Sequence, residues 1–333
     1  MNNVSVALFG SHVRNDNDAL SDRDMLLVYP ECQFPRRMTQ ALESHGNSCA
    51  VYSRKRLSSL ASTGSLFIQH LVRESEIIVD PDGFLHDVLS RFELLPDYRA
   101  TFDGALSIFG LLELIPYGSA GIAWAADIAA VSFRSMAIPF LADRGITAYG
   151  MHDICLALMS LSLLSKSDAE RLQVLRGLKS QYRKHGRVAC DPRELTAVIE
   201  IIDRCFGIGL RRQFVAPPSL VTELHLNRST DWYRGVRLLE ACLLPYRHLN
   251  CPRIASIQEI VKSPQVYGWK MKHDNAGVMA TLNDVLRRFS HTTLHDRVKA
   301  TVSGDPPHTT SACGSALGGS TKWSKLCPES FDA

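Results

Sequence analysis

In the first hundred residues short apolar strands alternate with helical stretches, and this order constrains the fold more than any other feature of the chain. Val4-Ser5-Val6-Ala7-Leu8-Phe9 and Met25-Leu26-Leu27-Val28-Tyr29, the latter closed by Pro30, read as buried strands. Phe34 to His45 has helical spacing and stops at Gly46, and Ser48-Cys49-Ala50-Val51-Tyr52-Ser53 reads as a third strand. A helix through Ser65–Arg73, a short strand Ile77-Ile78-Val79 and the turn Asp80-Pro81-Asp82-Gly83 follow. Strand–helix–strand order with short links predicts a small mixed sheet backed by helices.

Beyond residue 100 the pattern changes. Residues 101–115, 119–144, 150–164, 167–186 and 191–206 all have helical periodicity, with Ser167 or Asp168 as the cap of the fourth helix and Gly145 and Gly186 as stops. A break at Ala216-Pro217-Pro218-Ser219 precedes further helix at roughly 229–244 and 275–290. From about Ser303 the chain is rich in Ser, Thr, Gly and Pro and is expected to be disordered. The reading is therefore α+β: an N-terminal domain over 1–98, an all-α helical bundle over 99–215, a further helical region over 216–300, and a tail over 301–333.

Composition narrows the class. Apolar residues are 45% and charged residues 21%, as in a globular protein, and a net charge of +3 is too small to argue for a nucleic-acid or membrane partner. No signal peptide fits Met1-Asn2-Asn3, and the best apolar stretch, Ile128 to Leu141, is interrupted by Ser132, Arg134 and Ser135. A cytoplasmic protein is the expectation. The nine cysteines are scattered without a Cys-x-x-Cys pair, which suits reduced or buried thiols better than a disulfide framework or zinc.

One segment carries chemistry. Gly10 and Ser11 directly follow the first strand, and after a ten-residue gap (12–21) Asp22-Arg23-Asp24 leads into the second. Alternation along a strand points Asp22 and Asp24 to one face. Adjacent carboxylates repel unless a divalent cation lies between them, and magnesium suits oxygen ligands completed by substrate phosphates. A glycine permits close backbone approach, and backbone N–H groups with a hydroxyl can hold a triphosphate. Arg14 is the nearest cation able to help. A lone Asp-x-Asp in a turn is usually a solvated loop and a lone Gly-Ser only a turn, but the two together between strands are far more specific.

With Leu8-Phe9-Gly10-Ser11 and Ser21-Asp22-Arg23-Asp24-Met25-Leu26-Leu27-Val28, the chain resembles the nucleotidyltransferase superfamily related to DNA polymerase beta, in its minimal form. The resemblance extends more loosely to about residue 90 and implies a nucleotidyltransferase domain. In it Gly10, Ser11 and Arg14 would bind nucleotide, and Asp22 and Asp24 would be catalytic metal ligands. The gap also resembles that of minimal nucleotidyltransferase antitoxins, which adenylylate a HEPN-type toxin. Two departures stand out. The family's third carboxylate, which helps deprotonate the acceptor hydroxyl, falls near Ser48, where no acid stands, and the usual Arg-Gly of the turn is Arg14-Asn15. The two-lobed layout also resembles kanamycin-type nucleotidyltransferases, in which the helical domain supplies that acid; Asp127 and Glu113 are the candidates.

The helical half resembles HEPN bundles faintly, through Ser132-Phe133-Arg134 and the run Leu175 to His185, without their ribonuclease Arg–His spacing. Arg171, Arg176, Lys179, Arg183 and Lys184 recur around one helix, most simply as a solvated face, otherwise as a phosphate-binding surface with Tyr182 available for stacking. Trp232-Tyr233-Arg234 and Tyr267-Gly268-Trp269 read as packing residues, and His12 and His70 at most as supports behind the site. The function expected is magnesium-dependent transfer of a nucleoside monophosphate, AMP from ATP, to a hydroxyl of a small molecule such as an aminoglycoside or of a protein. The alternative is a catalytically degenerate nucleotide-binding regulatory or antitoxin-like module. No membrane partner is expected, nucleic acid is the weaker option, and a homodimer is left open.

Overall fold

The computed structural model describes residues 3–14, 23–31, 34–185, 190–226, 232–246, 251–262 and 270–302. The fold is mixed α+β, with a small sheet near the N-terminus and many helices after it. The chain forms two compact units: Met1–Phe109 with Ala126–Ala189, and Gly110–Ala125 with Cys190–Ala333.

The first unit is built on β1 (Ser5–Phe9), β2 (Arg23–Tyr29), β3 (Asn47–Ser53) and β4 (Ser75–Val79), in the order β3-β2-β1-β4. β1 is antiparallel to β2 and to β4, whereas β2 and β3 run parallel, joined through helix α2 (Arg36–Ser44). The apolar runs are continuous because both faces of the sheet are covered. Ala7, Phe9, Leu26 and Val28 pack with Leu57, Ile68, Leu71, Leu85 and Val88. Those partners lie on helices α3 (Arg54–Ser62), α4 (Leu66–Glu74) and α5 (Phe84–Ser90). Val6, Met25 and Leu27 point the other way, against Met38 and Leu42 of α2. Helix α1 (Ser11–Arg14) is a single turn after β1.

The three predicted strands and the short fourth all form. Helix α3 was not expected, because only Leu57 in its Arg- and Ser-rich sequence is buried, leaving little periodicity; the Ser53 hydroxyl caps it, accepting from Arg56 N at 3.2 Å. Helices α6 (Arg99–Phe109), α8 (Met151–Ser160) and α9 (Lys166–His185), with residues 126–142 of α7 (Ser119–Ala142), complete the first unit. Neither Ser167 nor Asp168 is the cap of α9. Ser165 is: its Oγ accepts from Asp168 N at 3.1 Å while Asp168 Oδ2 accepts from Ser165 N at 3.3 Å, a reciprocal capping box.

In the second unit α10 (Pro192–Phe206) forms as predicted, capped by Asp191 and ended at Gly207 in a left-handed conformation (φ +65°). The helical region is not all-α, however. β5 (Leu114–Pro116) and β6 (Gln213–Val215), each too short for a detectable alternation, pair in parallel as a separate sheet. The presumed break at Pro217-Pro218 is instead the start of helix α11 (Pro217–Leu226), where a proline at the first position is pre-organised. α12 (Trp232–Leu243), α13 (Pro252–Lys262) and α14 (Asn275–Val302) follow. A Cβ at Gly121 would fall 1.7 Å from the Pro116 carbonyl oxygen, so only glycine lets the chain turn from β5 into α7 this closely. By length and composition α7 could cross a membrane, although 72% of its most apolar window is buried inside the protein, as in a core helix. The tail after residue 302, Gly186 and Tyr267-Gly268-Trp269 lie outside the described residues.

Candidate nucleotide site

Gly10 is buried and takes φ +80°, a conformation open to glycine at little cost. Its N–H donates to Glu74 O at 2.9 Å, and its carbonyl accepts from Val13 N at 3.0 Å and Arg14 N at 3.3 Å. The strand therefore turns at once into α1, with Ser11 half-buried at its first position. Asp24 stands at the start of β2, in register with Phe9 on one side and Ser48 on the other. A Cβ on residue 10 would touch Asp24 Oδ2 at 3.4 Å, so the turn and this carboxylate are direct neighbours. Gly10, Ser11 and Asp24 come together at one end of the sheet. Asp22 lies outside the described residues.

Position 48 falls beside Asp24 on the parallel strand, and its serine is exposed. Asp127 is fully buried, and Arg183 Nε donates to its Oδ1 at 3.1 Å. A carboxylate with no exposed surface cannot receive a proton from an incoming hydroxyl, so Asp127 is a packing ion pair and not the missing base. Glu113 belongs to the second unit, where it borders an open cavity of about 430 Å³ with Arg211, Arg212 and Arg234. Tyr182 is only 5% exposed and is not available for base stacking. Trp232, read as a packing residue, is 47% exposed.

Arg14 forms an ion pair with Glu74, the last residue of α4. His70 Nε2, one helical turn earlier, lies 2.8 Å from the same carboxylate oxygen, and its ring stacks on Tyr149 at 4.3 Å. Tyr149 OH donates to Gln69 Oε1 at 2.7 Å, and Gln69 Nε2 donates to Thr147 Oγ1 at 3.3 Å. Burial pushes the Glu74 carboxyl upward, but His70 and Arg14 outweigh it and hold the group below its ordinary 4.5. Burial, helped by the Glu74 charge, pushes the Tyr149 phenol well above its usual range, so it remains a neutral donor.

A carboxyl depressed in the folded state stabilises above its unfolded pKa, and that contribution disappears as pH falls through the folded value. Glu74→Gln is therefore expected to cost about 2 kcal/mol near neutral pH. Thermal melts of both proteins should converge as pH falls below 4.5. A constant gap down to pH 3 would show that the charge of Glu74 contributes nothing.

Sequence reasoning read His70 at most as a support behind the site, missed Glu74 and Tyr149, and quoted Arg134 only for its helix. Arg134 Nε donates to Tyr149 O at 3.0 Å. Burial pulls its guanidinium pKa down, while the nearby Asp24 carboxylate supports the charge. Among the described residues no group of three or more His, Cys, Asp or Glu side chains comes together as in an all-protein metal centre. Such a cage is not what magnesium requires, since one or two carboxylates plus substrate phosphates commonly suffice, and the half-buried Asp24 at the end of the sheet fits that donor set.

The described cysteines 49, 155, 190, 205, 242 and 251 are free thiols, and burial pushes Cys155 up to about 11, which keeps it protonated and unreactive. Comparison of the chain with protein-family models, with curated proteins and with solved structures finds no match.

Proposed function

We propose that the chain is a magnesium-dependent nucleotidyltransferase that moves a nucleoside monophosphate, AMP from ATP, onto a hydroxyl of a small molecule or protein and releases pyrophosphate. The observation that carries this reading is the nearness of the Gly10 turn to the Asp24 carboxylate at one end of a mixed sheet. A tight glycine turn that leads into a helix, with a hydroxyl at its first position, suits phosphate oxygens, and Asp24, with Asp22, suits the cation that accompanies them. When bound, magnesium would neutralise charge developing on the transferred phosphate. Gly10 and Ser11 would hold the phosphates, Arg14 would add positive charge beside them, and the helices would select the acceptor.

A second reading draws support from position 48. An exposed serine beside Asp24 supplies no base, so the site could retain nucleotide without turnover and act as a regulatory or antitoxin-like module. Pyrophosphate release from each of the four NTPs with magnesium, with and without clarified cell extract as acceptor source, separates the two. Transfer predicts release with ATP that rises with extract. ATP binding without release in any mixture favours the module, and absence of both binding and release removes the nucleotide reading.

A further inference from the structure

Arg134 is a charged residue of the first unit that the site as described leaves without a role. It lies on α7, half-buried, with Phe133 and Met136 packed into the core around it. Its Nε is fixed by the Tyr149 carbonyl. Among the described residues neither terminal nitrogen has a hydrogen-bond acceptor and no carboxylate is ion-paired with it. A second guanidinium converges on the same dipeptide: a Cβ at Gly150 would meet Arg14 Nη2 at 3.2 Å. Gly150 thus leaves room for Arg14 immediately beside the peptide that anchors Arg134.

Two guanidiniums brought to adjacent residues repel each other, and Arg176 of α9 adds a third positive charge to the field at Arg134. Asp24 and Glu74 are carboxylates in that field, Glu74 already engaged by Arg14 and His70, and Asp153 stands at the same glycine, its Oδ2 2.8 Å from where a Gly150 Cβ would lie. What the place offers is a pair of terminal nitrogens on Arg134 that no described carboxylate engages, partly desolvated and within the field of Asp24. An arginine held through Nε presents its two terminal N–H groups as a preformed fork, the geometry that matches phosphate oxygens.

We infer that Arg134 is a phosphate-binding residue: anchored on Tyr149, it turns its terminal nitrogens to the polyphosphate of a ligand lodged beside Gly10 and Asp24. The assignment rests on the reading of that edge as a nucleotide site. It adds a group from a helix more than a hundred residues away and a ligand preference that rises with the number of phosphates.

The test is calorimetric titration of the full-length protein with magnesium and, in turn, ATP, ADP, AMP, adenosine and inorganic tripolyphosphate. Wild type is compared with Arg134→Met and Arg134→Gln, the second retaining an amide that can donate to the Tyr149 carbonyl if the first does not fold. Both substitutions should weaken ATP and tripolyphosphate by about 10- to 100-fold, ADP less, and leave adenosine unchanged. If wild type and variants bind ATP alike while the melting temperature drops, Arg134 is only a clasp on Tyr149 and the inference is overturned, with the nucleotide reading intact. If wild type ignores ATP but binds tripolyphosphate through Arg134, the inference stands and the nucleotide reading falls. Binding of neither ligand removes both.

Discussion

Replacing Asp24 with alanine is expected to lower nucleotidyl transfer by at least about 10³-fold while leaving the fold in place. The rate effect follows from what the carboxylate would do. Holding a cation against the transferred phosphate is worth several kcal/mol in the transition state, and about 4 kcal/mol corresponds to roughly three decades. The fold should survive because the Asp24 backbone keeps its pairing with Phe9 and Ser48 whatever the side chain. The core beneath begins only at Met25 and Leu26, 5% and 0% exposed. The measurement pairs single-turnover pyrophosphate release with a thermal melt. Asp24→Asn provides the control for shape, since it keeps the volume and removes the charge. Full activity in either variant with an unchanged melt would end the assignment of Asp24 as a metal ligand.

Much of this edge was legible because its components lie close together in sequence. Strands β1 and β2 announce themselves as apolar runs, and the Gly-Ser turn and the aspartate flank them within a few residues. Register then follows from the pleat: Phe9, Asp24 and Ser48 share one level of the sheet, as the expected place of the third acid required. What surrounds the edge was not legible. Glu74 reaches the site because α4 runs into β4, which pairs with β1 on the side away from β2. Arg134 and Tyr149 arrive from helices and loops whose own periodicity records only which residues they bury. The mistaken break at Pro217 has a local cause, because a proline ends one helix and begins another with equal ease, and composition alone does not say which. β5 and β6 fall below the length at which alternation can be counted.

Ser48→Asp is expected to raise the transfer rate by about 10²–10⁴, the range a general base contributes when supplied. The position is chosen by register: residue 48 is the parallel partner of Asp24, and residues on one level of neighbouring strands project to the same face. Ala50 and Tyr52, two and four residues on, pack with the core on that face, which fixes the direction of 48 as well. The serine is exposed, so a carboxylate there needs no cavity and meets water or an acceptor hydroxyl directly. Its cost is repulsion from Asp24, about 0.2–1 kcal/mol for like charges facing across strands, and a cation between them would reverse the sign. The variant should therefore melt slightly below wild type without magnesium and gain more from magnesium than wild type does. Ser48→Asn, of the same size and without the charge, should change neither rate nor magnesium response. If wild type already turns over and Ser48→Asp leaves the rate unchanged, the base comes from another group, and the serine is no defect. If wild type binds ATP in silence and Ser48→Asp begins to release pyrophosphate, the chain is a binding module one carboxylate away from catalysis. A silent Ser48→Asp protein that still binds ATP would place the deficit in the acceptor or its pocket, since the nucleotide end would then hold both the turn and the acids that transfer needs.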